Sequence, residues 1–204
     1  MKSLNPFPII HKAHYDFDWK AIKPSVQGYI QAAQEHIQEF NLETPERDGG
    51  ITTVPISKSH HPPHVWDCFE DFRPWLFERV NRVWDEWKLQ PMDKHLADSW
   101  LNCHPPGAYT SEHHHQNVTV AIACYLHVPK DSGRLMVKNP FYPYRLGDPL
   151  HHAYYDEGMD WEYIDVTSGD VLFFPGWLTH KTERNYSEKD RYIMSMNIMG
   201  RYVN

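Results

Sequence analysis

Apolar residues recur at helical spacing in two stretches of the N-terminal half. Val26, Tyr29, Ile30, Ala33, Ile37 and Phe40 follow one helix face, and Pro24 suits the first turn of that helix. A second run, Phe69, Phe72, Leu76, Val80, Val83, Trp84 and Trp87, predicts a helix from about residue 67 to 88. Pro74 falls inside it, so the helix starts or kinks there. Between the two, "RDGGITTVPISKSHHPPH" reads as a turn, a short strand and a loop. From about Leu96 the period shortens. "LADSWLN", "NVTVAIACYLHV", "RLMVKN", "WEYIDV", "DVLFFP" and "RYIMSMNIM" read as strands bounded by Gly, Pro, Asn or Asp. Strands at this spacing after a helical region suggest a β-sandwich or barrel with helices packed outside it.

Alternation within the strands bears on chemistry. In "RYIMSMNIM", Arg191, Ile193, Ser195 and Asn197 share one face, and three of the four are polar. Such a face lines a wet site or faces solvent on an edge strand. In "SEHHHQN", an extended chain turns His113 and His115 one way and His114 the other. Two imidazoles at i and i+2 can grip one metal ion. The stretch taken alone fits a polar turn equally well. "SGDVLFFPGWLTH" then launches an apolar strand, breaks it at Pro-Gly and ends on His180. The segment that follows predicts a hairpin turning at residues 185–189 and returning at Arg191. Arg191 would then lie beside His180, where a cation could hold the far carboxylate of a chelating diacid.

Composition narrows the classes. The 204 residues suit a single domain, and the formal net charge of −7 argues against nucleic-acid binding. Three widely spaced cysteines fit a reducing compartment better than a disulfide framework. The chain shows neither a signal-peptide pattern nor an apolar run of membrane-spanning length, so a cytoplasmic protein is expected. Fifteen histidines are unusual, and histidine is the commonest metal ligand.

"SWLN", "PPGAY", His-x-His, "CYLHVPKDSGRLMVKNP", "SGDVLFFPGWLTH" and "RYIMSMN", in that order, resemble the 2-oxoglutarate/Fe(II)-dependent oxygenases, particularly a branch found in bacteria and phages. The resemblance spans about residues 98–197. It implies an α+β, mainly β fold: a double-stranded β-helix (jelly-roll) core over 96–204, with a mostly helical N-terminal layer over 1–95 packed on the outer sheet. It further implies an enzyme that uses Fe(II) and 2-oxoglutarate, releases succinate and hydroxylates a small-molecule or peptide substrate. His113 and His180 would be iron ligands, with no catalytic residue beyond the metal centre. Arg191 would pair with the 2-oxoglutarate C5 carboxylate, and Ser195, Asn197 and Asn102 would contact cofactor or substrate. Most of the superfamily carries His-x-Asp or His-x-Glu, and this chain has His115 at the carboxylate position. Either His115 completes a three-histidine site, or a carboxylate such as Glu112 or Asp156 does.

Two rivals remain at this level: a three-histidine cupin-type dioxygenase without 2-oxoglutarate, and a non-catalytic jelly-roll binding protein. "SHHPPH" (59–64) reads as a plain loop. Residues 141–161, long for a strand connection, read as a substrate lid, with a homodimer contact as the plainer alternative. Trp84 and Trp87 are expected in the core, and Cys103 and Cys124 are expected to be buried and inert.

Overall fold

A computed structural model describes residues 10–40, 49–57, 62–140 and 160–202. Its elements are β1 (His11–His14), α1 (Trp19–Phe40), β2 (Ile51–Thr52), α2 (Val54–Ser57), α3 (Phe72–Glu86), β3 (Asp93–His104), β4 (Val120–His127), β5 (Leu135–Lys138), β6 (Trp161–Ile164), β7 (Asp170–Pro175), β8 (His180–Thr182) and β9 (Arg191–Arg201). Two antiparallel sheets result. The major sheet has the order β1-β7-β4-β9-β3-β2, and the minor sheet β6-β5-β8.

Strand alternation builds two cores from one sheet. On one face of the major sheet, Leu101, Cys103, Ile122, Cys124, Phe173, Tyr192, Met194, Met196 and Ile198 pack beneath the helices. On the other, Ala121, Ala123, Tyr125, Leu172, Phe174 and Ile193 meet Leu135 and Val137 of the minor sheet. The helices are amphipathic towards the first core. α1 buries Ile22, Val26, Ile30 and Ala33, and α3 buries Phe72, Leu76, Val80, Val83 and Trp84. Each of the larger side chains contributes roughly 1.5–3 kcal/mol by leaving water.

Several local expectations change. The first helix begins at Trp19, ahead of Pro24, because the Asp18 carboxylate caps the Ala21 N–H at 3.1 Å. Pro24 therefore lies inside the helix. The second helix starts at Phe72, after two short 3₁₀ turns, with Pro74 in its first turn, where a missing N–H costs nothing. Within the stretch read as a turn, a short strand and a loop, residues 54–57 form the short α2. The short strand expected between the helices is β2, and an unexpected strand, β1, forms the opposite edge of the major sheet. Trp84 is buried, and Trp87 packs against the core while its indole N–H donates to His11 Nε2 at 3.0 Å. Cys103 and Cys124 are buried, and burial pushes the Cys103 thiol up to about 12. The expected lid falls outside the described residues up to position 159, as do positions 59–61 of "SHHPPH". His64, at the end of that run, bonds to Ser99 Oγ at 2.8 Å.

Candidate metal centre

The predicted hairpin from His180 to Arg191 does not form. β8 pairs with β5 in the minor sheet, whereas β9 pairs with β3 and β4 in the major sheet. The connection crosses between sheets, and Asn185 ties it down. Its side-chain amide donates to the His104 and Lys189 carbonyls at 2.8 Å each, and its Oδ1 accepts from the Ser187 N–H at 2.9 Å.

β8 instead finds its second neighbour in the segment that follows β3. Thr182 N–H donates to the Thr110 carbonyl at 3.1 Å. His113 and His180 exchange both backbone bonds, at 3.0 and 2.9 Å, and the His115 N–H donates to the Gly176 carbonyl at 2.8 Å. His113 and His180 are thus directly opposed across two antiparallel segments, and alternation carries His115 to the same side. Gly176 is required at this junction, because a Cβ there would collide with the Val118 carbonyl oxygen.

Ligand atoms of His113, His115 and His180 all lie within 4.8 Å of one another, and this is the one such cluster among the described residues. His114 is exposed and outside it. Each Nδ1 meets an oxygen acceptor: Ser111 O at 2.9 Å for His113, Asn197 Oδ1 at 2.6 Å for His115 and Leu178 O at 2.8 Å for His180. An acceptor oxygen at Nδ1 fixes the proton there, so Nε2 carries the lone pair in all three rings. Burial, and then the neighbouring His113 and His115, hold His180 well below the usual imidazole range, so it is neutral and ready to bind a metal. Glu112, a carboxylate candidate, is exposed and paired with Lys138 at 2.7 Å; Asp156 lies outside the described residues.

The histidines stand between two spaces. Outside is a cleft of about 470 Å³ walled by Val54, Ser57, Asp98, Trp100, Glu112 and Gln116. Inside is a narrow chamber lined by Asn102, His104, Tyr125, Thr182, Ile193 and Ser195. The register explains the chamber: Trp100 and Ala123 flank Ser195, Asn102 and Tyr125 flank Ile193, and His104 faces Arg191. Asn102 Nδ2 donates to Ser195 Oγ at 3.0 Å. A larger surface depression of about 530 Å³, around residues 128–134, lies away from the histidines.

Arg191 is fully buried beyond this chamber. Its Nη1 donates to the carbonyls of Ser132 and Gly133, and its Nη2 to Glu183 O at 3.2 Å. Nε and Nη2 both point at His104 Nδ1, at 3.3 and 3.2 Å. Two polar atoms that the sequence reading missed are buried without a hydrogen-bond partner among the described residues: Tyr125 Oη, in the chamber, and Trp100 Nε1, on the wall shared by chamber and cleft. Strand alternation could have found both. Trp100 shares a face with Asn102, and Tyr125 shares one with Ala121 and Ala123.

Residues 98–197, about half of the chain, match a family model described as "Putative 2OG-Fe(II) oxygenase". No curated protein sequence matches. Among solved structures, the fold is shared with a viral collagen prolyl hydroxylase from Paramecium bursaria Chlorella virus-1, solved as its 2OG complex. That likeness has 11% identity and a TM-score of 0.59, and covers 98% of this chain and 99% of that one. A Pseudomonas putida prolyl-4-hydroxylase gives 12%, 0.57, 95% and 93% in the same order. HygX from Streptomyces hygroscopicus, solved with nickel and 2-oxoglutarate bound, gives 13%, 0.55, 96% and 84%. Among the described residues, no helix is long and apolar enough to cross a membrane.

Proposed function

We propose, for this chain that belongs to the 2OG-Fe(II) oxygenase family, that His113, His115 and His180 hold the iron and that the inner chamber takes 2-oxoglutarate. The observation that carries the reading is the convergence of ligand nitrogens of three histidines within 4.8 Å, each ring having an oxygen acceptor on its Nδ1 that leaves Nε2 for a metal. When bound, iron and 2-oxoglutarate couple decarboxylation to succinate with oxidation of a substrate C–H bond by O₂. The protein's part is to bind, orient and exclude water. Three neutral imidazoles leave the ion's positive charge uncancelled, which favours a dianionic cosubstrate. Tyr125 Oη supplies an unspent donor for the far carboxylate, and Arg191 supplies positive charge behind it. Ser195 and Asn102 furnish the polar wall on the other side. Asn197 acts through His115, by holding its ring. The outer cleft, with the Trp100 indole N–H at its base, takes the prime substrate, a small molecule or peptide.

The test is anaerobic reconstitution with Fe(II), followed by 2-oxoglutarate and O₂, with bound iron and released succinate both measured. We expect one iron per chain and slow succinate release even without prime substrate, with both lost in His180→Ala. Iron binding without any 2-oxoglutarate binding would favour the cupin-type reading. Absence of iron binding would leave a non-catalytic jelly roll.

A further inference from the structure

We propose that His104 occupies, on the Arg191 guanidinium, the place that the far carboxylate of 2-oxoglutarate takes when it binds, and that this exchange selects a dicarboxylate. The proposal rests on the cosubstrate reading above. A guanidinium has five N–H donors, and here each has a protein acceptor: three backbone carbonyls and one imidazole nitrogen. The carbonyls belong to Ser132, Gly133 and Glu183, which the backbone fixes in place. Only the imidazole belongs to a side chain. It sits on the Nε/Nη2 edge, where two parallel N–H groups match a carboxylate's two oxygens. A single Nδ1 lone pair serves both donors, so both bonds are long, at 3.3 and 3.2 Å. A carboxylate there would accept two shorter, charge-assisted bonds.

Position supports the same assignment. His104 lines the inner chamber, and Arg191 is not among its walls. A ligand in the chamber therefore meets the imidazole before the guanidinium. His104 is also held from its other end, where Nε2 bonds to Thr110 Oγ1 at 2.7 Å. The Thr110 N–H in turn donates to Thr182 Oγ1 at 2.9 Å, two residues from His180. With Nδ1 accepting from Arg191, the ring's proton lies on Nε2, and on the guanidinium the imidazole is a neutral stand-in held by two long bonds. A monocarboxylate keto acid could chelate the metal but could not displace it. His104 thus acts as a specificity residue working through Arg191.

The experiment compares 2-oxoglutarate with 2-oxobutyrate, which carries the same keto-acid end and lacks the far carboxylate. Zn(II)-loaded protein is titrated calorimetrically with each. In His104→Ala, the competing acceptor is gone, and the ratio of the 2-oxobutyrate to the 2-oxoglutarate dissociation constant should rise on the order of tenfold over wild type. A general loss of packing would weaken both ligands together and leave the ratio alone. An unchanged ratio overturns the proposal, and a fallen ratio does so too, since His104 would then be supporting the Arg191 pose. Should the variant not fold, the wild-type protein labelled with ¹⁵N-histidine serves. The His104 Nδ1 resonance should shift on adding 2-oxoglutarate and stay put with 2-oxobutyrate. No shift with 2-oxoglutarate, or equal shifts with both, overturns it. If neither keto acid binds the zinc-loaded wild type, the cosubstrate reading falls and takes this proposal with it.

Discussion

A buried hydroxyl without a partner costs about 1–3 kcal/mol, so one that lines a cavity invites a functional reading. Tyr125 Oη is such a group at the back of the chamber. Burial pushes its phenol well above the usual range, against a weaker pull from Arg191, so it remains a donor at any physiological pH. Tyr125→Phe should therefore leave the ligand-free protein as stable as wild type or slightly more so. It should also raise the 2-oxoglutarate requirement by about tenfold. Denaturant melts and a cosubstrate titration together check it; a clear loss of stability with unchanged cosubstrate affinity would defeat the idea. Arg191 is a different case. Arg191→Ala would remove the partner of three carbonyls, one buried and two part-buried, so its expected effect on cosubstrate binding comes with a substantial loss of stability. Asn197 lines the outer cleft and holds His115 through a 2.6 Å bond to its Nδ1. Asn197→Leu should weaken metal affinity by about 10- to 100-fold with the fold intact. Titration with Co(II), followed by its visible absorption, measures this; wild-type affinity in that variant would mean the bond does not orient the ring.

At the scale of elements, what was legible was what a strand's period of two determines locally. The split of β9 into Arg191, Ile193, Ser195 and Asn197 on one face and Tyr192, Met194, Met196 and Ile198 on the other follows from alternation alone, and it agrees with the two cores. The partner of each strand was not legible, because pairing is decided by segments far apart in sequence. The polar run after His180 carries turn residues, and a hairpin is the nearest local solution. Asn185 instead uses its amide to hold a crossing between sheets. β1 went unseen because "HKAH" has no β-rich composition. It is recruited by charge and register: Lys12 Nζ meets the Asp170 carboxylate at 2.7 Å, at the start of β7. Burial pushes the Asp170 carboxyl upward, but Lys12 and the Thr167 N–H and hydroxyl outweigh it and hold it below its ordinary value. A carboxyl lowered in the folded state stabilises above its unfolded value of about 3.9, and that contribution disappears as pH falls through the folded value. Asp170→Asn should thus cost roughly 1–3 kcal/mol at pH 7 and progressively less in acid. Urea midpoints at pH 7 and pH 3 test the sign: an equal loss at both would rule out the ionised carboxylate as the source.

For the whole molecule, the site is a joint between layers. His180 comes from the minor sheet, His113 and His115 from the segment following β3, and the Asn197 that holds His115 from the middle of the major sheet. A metal bound there adds a direct tie between parts that otherwise meet through packing, backbone bonds and side-chain bonds such as those of Arg191 and Asn185. The unfolded chain, with these histidines separated by as many as 67 positions, offers no comparable site. Binding must then appear as stability: a ligand at about 100 times its dissociation constant adds about 2.7 kcal/mol. For a domain of this size that raises the melting temperature by about 5–10 °C. We expect a rise of that order with Co(II) or Zn(II), reversed by chelator. Acid should erase it as the ligand imidazoles take up protons. His180→Ala should abolish the rise; His114→Ala, on the exposed neighbour, should keep it. The pairing of these two variants separates a built centre from loose binding by a histidine-rich segment. A rise surviving in His180→Ala, or vanishing in His114→Ala, would mean that metal reaches the chain somewhere other than the three converging rings.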